Sequence, residues 1–166
     1  MPLTPFHLGP GLFLGALTLK FFNLCAILLG SIVMDIEPMV LLIVNPCLSC
    51  PHHGFFHSIL GAILGSLILA VILYSQKEKL NKLSLKFKIQ QSFSFPVLFF
   101  SSLLSWLIHI FFDNLTHFDV FLFWPSHFKP LFIGKEIYWP LSLICLIFGI
   151  FGFLLVYKKI KTPKNL

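Results

Sequence analysis

The chain contains no arginine, and only 11% of its 166 residues are charged. Soluble domains typically carry about 25%, so a surface facing water on all sides is excluded. Asn-Gly and Asp-Gly pairs are absent, and no stretch sustains a strict apolar–polar alternation. That removes the hairpin and β-barrel signals. The missing arginine also counts against nucleic acid as the explanation of the formal charge of +6. Every basic residue is a lysine, and most border apolar stretches, where they read as a cytoplasmic-side topology signal. Membrane lipid is the expected partner; nucleic acid is not. The start of the chain lacks a positive n-region and holds His7 and early prolines, so no cleavable signal peptide is expected and the first helix should be retained.

Apolar residues supply what charge does not. They make up 57% of the chain, with 21 Phe, and the mean hydropathy is +0.92. Each membrane span needs about 20 apolar residues, so the length allows one transmembrane helical domain over 1–166. Apolar stretches cover 6–19, 21–44, 53–75, 93–115 and 137–157, predicting an all-α bundle of about five helices. The second should break at Asp35-Ile36-Glu37-Pro38, because proline disfavours helix in the residue before it. Lysines crowd 76–91 and the tail from Lys158. By the positive-inside rule both lie in the cytoplasm, which puts the loop 118–136 outside the plasma membrane. Gly11/Gly15 and Gly61/Gly65 have the spacing that lets membrane helices approach closely.

This topology sends five of the six acids to the outer half, leaving Glu78 in the inner loop. His7 opens the first span, His53 and His57 open the third, and His109 and Asp113 close the fourth. Charged groups at membrane depth cost roughly 2.5 to 3.5 kcal/mol each on insertion scales, so they face the bundle interior and serve a purpose there. Carboxylates mixed with neutral imidazoles form a ligand set for Zn²⁺, or for Mn²⁺ with more oxygen. His53/His57 and His109/Asp113 are each four residues apart, on one helix face. Asp35 and Glu37 could not share a helix face, but the expected break would let both point inward. His7, Asp35, His53, His57, His109 and Asp113 are therefore the expected metal ligands. His52, His117 and His127 read as solvated loop or interface residues. Asp119 is balanced between substrate contact and loop capping. Cys47-x-x-Cys50 could close a disulfide, stay reduced or bind zinc. Cys25 and Cys145 read as small hydrophobes.

The strings Thr4-Pro5-Phe6-His7, Met34-Asp35-Ile36-Glu37-Pro38, His53-Gly54-Phe55-Phe56-His57-Ser58 and His109-Ile110-Phe111-Phe112-Asp113 resemble, in order, those of the predicted membrane-bound metal-dependent hydrolases of the YdjM-like group, particularly its archaeal members. Thr116-His117-Phe118-Asp119 and Phe123-Trp124-Pro125-Ser126 also look like the family's stretch after its last metal motif. The chain departs from the pattern at Met34, where a proline is usual, and at His52. The family's distant similarity to zinc phospholipase C and P1-type nucleases implies phosphoester hydrolysis. The expected function is thus a metal-dependent hydrolase acting at the outer membrane face on a phosphoester, of a phospholipid or a lipid-linked group. A bound metal would lower the pKa of water toward about 7. Glu37 is the expected general base or bridging ligand, with Asp119 as a second catalytic residue. The alternatives are a metal-ion or proton transporter, which requires polar residues continuing to the inner face, and a structural membrane protein pinned by its metal.

Overall fold

The computed structural model describes residues 4–47 and 51–161. All regular structure among these residues is helical, with no strand, as the composition predicts. Helix α1 (Thr4–Thr18) is followed by α2 (Leu24–Val33), α3 (Ile36–Val44), α4 (Ile59–Ser75), α5 (Lys77–Lys86), α6 (Phe95–Thr116) and α7 (Tyr138–Lys161). Leu24–Val44, Phe95–Thr116 and Lys135–Lys161 are each long and apolar enough to cross a membrane. Helix α1 is apolar but shorter, and α4 with α5 passes only as a pair bent by 76°.

Local chemistry sets these boundaries. The Asn23 side chain caps α2 by accepting from the Ala26 N–H at 3.0 Å, and Ser58 caps α4 through the Gly61 N–H at 3.0 Å. Such caps satisfy amide groups that the first helical turn leaves open. Pro96 sits in the first turn of α6, where a missing N–H costs nothing. The break in the second span falls at Met34–Asp35. There Asp35 N bonds Ile32 O and Glu37 N bonds Met34 O, short-range closures that tighten the chain before Pro38 enters the first turn of α3.

One element was not anticipated as structure of its own. The lysine-rich stretch after Ser75 is the helix α5 and not a plain loop. Its Leu80, partly buried, packs on an apolar cluster of Ala26, Leu69, Ala70, Leu73 and Leu98, which gives an otherwise polar segment an apolar anchor. Helices α1 and α7 pack closely through glycines. A Cβ on Gly9 would strike the Cys145 carbonyl, and one on Gly152 would lie 2.6 Å from Phe13 N. At the same end as the lysines, Lys159 Nζ donates to Ala16 O at 2.6 Å. The other two glycine pairs are also at close approaches: Gly11 and Gly15 face Ser31 and Leu24 of α2, Gly61 faces Phe55, and Gly65 faces the Trp106 ring.

The segment between α6 and α7 folds back over the opposite end. Asn114 Nδ2 donates to Val120 O at 3.1 Å, and the Ile59 and Ile133 N–H groups bond Leu122 O and Leu115 O. Val120 is thereby buried in a second cluster with Met34, Ala62, Trp106 and Ile110. That end holds the polar centre.

Candidate metal centre

Buried imidazoles surround one carboxylate. Asp113, on the last turn of α6 and 2% exposed, has the Nε2 atoms of His109 at 3.1 Å, His7 at 3.3 Å, His57 at 3.7 Å, His117 at 3.8 Å and His53 at 3.9 Å. These side chains come from α1, the segment before α4, and α6 with its C-cap. Asp35 joins from the α2–α3 break, with Oδ1 3.3 Å from His109 Nε2. The His7 ring stacks on that of His109 at 3.8 Å between centroids.

The far side of three rings explains their orientation. His109 Nδ1 lies 2.8 Å from the Ser31 carbonyl, which can only accept, so this nitrogen carries the proton. His57 Nδ1 meets Glu37 Oε2 at 2.8 Å, and His53 Nδ1 meets Asp119 Oδ2 at 2.9 Å. With each Nδ1–H held by an acceptor, each Nε2 presents a lone pair toward Asp113. Metal-binding histidines are held in this way, with an outer acceptor fixing tautomer and ring angle.

Several inward-facing atoms lack a partner among the described residues. His53 Nε2, His57 Nε2, His117 Nε2 and Asp35 Oδ2 are buried without a hydrogen bond. Such a group costs about 1–3 kcal/mol when left unsatisfied. The three imidazole nitrogens lie 3.7–3.9 Å from Asp113, and Asp35 shares His109 with it, so orphaned lone pairs and two carboxylates gather in one buried place. A divalent cation would satisfy the carboxylates and take the lone pairs together. Asp35, His57, His109 and Asp113 each offer a donor atom within 4.8 Å of the others, and so do His53, His117 and Asp119. The donor set of imidazole nitrogens and carboxylate oxygens suits a metal of the zinc or manganese type.

Glu37 sits differently from the expected base or bridging ligand. Its Oε2 takes the His57 ring and the Gly54 N–H, while Oε1 takes the Phe56 N–H at 3.1 Å. Both oxygens are engaged on the outer side of His57. Asp119 is in a similar place: its Oδ2 accepts from the backbone N–H groups of His52 at 2.7 Å and His53 at 3.1 Å, besides the His53 ring. Burial disfavours the Asp119 carboxylate, but these hydrogen bonds outweigh it and hold the acid below its usual range.

His117 was read as a solvated loop residue and lies at the cluster instead. It follows Asp113 by four residues, extending the run His109, Asp113, His117 along one face of α6 and its cap. That spacing was the available signal. Burial pushes its imidazole down to about 4, against the pull of Asp113, so it is neutral near pH 7 and able to donate a lone pair. His52 contributes its backbone, and His127 is exposed beside the Phe121 ring. Cys47 is disulfide-bonded, while Cys50 lies outside the described residues; Cys25 and Cys145 are free.

With this geometry in view, the match to known families becomes interpretable. The model of the family described as YdjM inner membrane protein matches residues 1–164. The chain belongs to this family. Its membership covers all four motifs and agrees with the apolar helices in placing the YdjM chain in a membrane. No curated protein and no solved structure matches it.

Proposed function

We propose that this YdjM-family chain is a membrane-embedded, metal-dependent hydrolase of phosphoesters, working on a phospholipid or lipid-linked substrate at the extracytoplasmic face. The observation that carries the reading is the set of buried Nε2 atoms around Asp113, with the His53, His57 and His109 rings tied from behind. Asp35, His57, His109 and Asp113 hold one divalent ion, zinc by its donor set with manganese as the alternative, and His7, His53 and His117 line the adjoining positions. Such an ion supplies Lewis acidity and a water of pKa near about 7. Glu37 and Asp119 orient His57 and His53. Asp35 Oδ2, buried and unpartnered, offers one of the lone pairs such an ion would take.

A transporter would need polar groups continuing through the bundle. Below the cluster, Ser105 is spent on Ser31 Oγ and Ile27 O, and Ser101 on Val97 O and the Asn23 N–H. These hydroxyls join helices, and none of them titrates. The test is hydrolysis of a chromogenic phosphodiester and of phospholipid in mixed micelles, with and without a chelator. Turnover should vanish on chelation, return with added zinc or manganese, and be absent from Asp113→Ala. Ion flux into liposomes without any turnover would replace the hydrolase reading by transport.

A further inference from the structure

The broken second span leaves a lateral opening beside the centre. After Asp35, α3 departs from the bundle so far that Pro38 is its one buried residue, and Ile36 and Val40 are 56% and 50% exposed. Between this helix and α4 runs a groove of about 430 Å³, within the range of specific small-molecule sites. Gly65, Ile68, Leu69 and Ile72 give it a floor two helical turns long, about 10 Å. At Gly65 the Trp106 ring takes the space a side chain would fill, so the ring itself forms part of the wall.

One charged side chain lines the groove, and it is Glu37, whose carboxylate holds His57 of the centre at 2.8 Å. A second apolar groove of about 440 Å³, between Phe21 and Leu107, has no ionisable lining residue. The two are alike in size, but of the pair it is the groove beside α3 that has a lining residue bonded to the polar centre.

We infer that the groove between α3 and α4 takes one hydrocarbon chain of a bilayer phospholipid, whose phosphate-bearing head then lies at the His/Asp centre. The surrounding medium at these helices is hydrocarbon, so an acyl chain enters from the side without crossing water. Substrate class at the proposed hydrolytic site is thus set by a chain anchor as well as by the phosphoester. The inference rests on the hydrolase reading for the fate of the head, but chain binding is measured without it.

Trp106 lies in the groove wall and is 2% exposed, which makes it a reporter. The protein carrying Trp124→Phe and Trp139→Phe, leaving Trp106 alone, is reconstituted in phosphatidylcholine vesicles with plain or mid-chain-brominated acyl chains. Bromine should quench Trp106 strongly, to within about twofold of a companion protein retaining only Trp139, which is 75% exposed. Filling the groove by Ile68→Phe or, separately, Val40→Phe should restore most Trp106 emission and leave Trp139 quenching unchanged. Either variant suffices, provided it remains monodisperse. Emission of Trp106 indifferent to bromine, or quenched equally with the groove filled, would overturn the inference. Because neither ion nor turnover enters the readout, quenching without hydrolysis would sink the hydrolase reading alone, and hydrolysis without quenching the groove alone.

Discussion

Glu37 was legible in the sequence as a carboxylate of the centre, while its hydrogen-bond partners were not. A carboxylate beside a candidate metal site reads from sequence as a base, but which side of an imidazole it occupies depends on the backbone turn at Gly54–His57, which no spacing encodes. In the fold it accepts from His57 Nδ1 and from two backbone N–H groups. Loss of such an outer partner typically weakens metal binding by about 10–100-fold. Glu37→Gln should therefore lower metal affinity by that order, with turnover largely recovered at saturating metal; unchanged affinity with abolished turnover would return Glu37 to the role of base. His117 is the converse case, legible in the four-residue spacing from Asp113 but discounted because it follows the apolar run. His117→Ala should weaken metal retention in a competition titration against a chromophoric chelator, whereas His127→Ala, on an exposed ring, should leave it unaltered.

Among the elements, the membrane helices and the broken second span were legible because apolar run length and one proline determine them. Helix α5 was not, since a polar lysine-rich stretch resembles a loop until Leu80 finds the inner apolar cluster. The α1–α7 contact was equally hidden: Gly9 and Gly152 are far apart in sequence and fit no short motif, yet their missing side chains let the helices touch. His7, two residues before Gly9 on α1, lies 3.3 Å from Asp113. A Cβ at position 152 would lie 2.6 Å from Phe13 N, while one at Gly149 would meet Gly9 Cα at an ordinary 3.4 Å. Overpacking costs typically about 1–3 kcal/mol. Gly152→Ala should accordingly lower the thermal transition of the detergent-purified protein, and Gly149→Ala should change it little; equal effects would mean that the two helices adjust freely.

At the scale of the whole molecule, the chain separates its charges into two ends. Lysines from α5 and the end of α7 gather at one, and the His/Asp centre with the α6–α7 loop at the other, which follows from a bilayer that tolerates ionisable groups only at its surfaces or in partnered interiors. Sidedness is checked by thiol labelling in intact cells, with Cys25 and Cys145 replaced by alanine. Ser126→Cys, exposed on the loop, should react with an impermeant reagent, and Lys82→Cys, exposed on α5, should react only after permeabilisation; the reverse pattern would invert the topology. The centre itself was legible as a list of residue types near one membrane face. Its convergence on Asp113, and the tying of the His53, His57 and His109 rings from behind, come from packing among segments remote in sequence. Metal content measured by elemental analysis of the detergent-purified protein tests the central claim most directly. Wild type should carry at least one equivalent of zinc or manganese, and the folded His109→Ala/Asp113→Ala variant should carry far less; a metal-free wild type that stays metal-free after incubation with either ion would contradict the account.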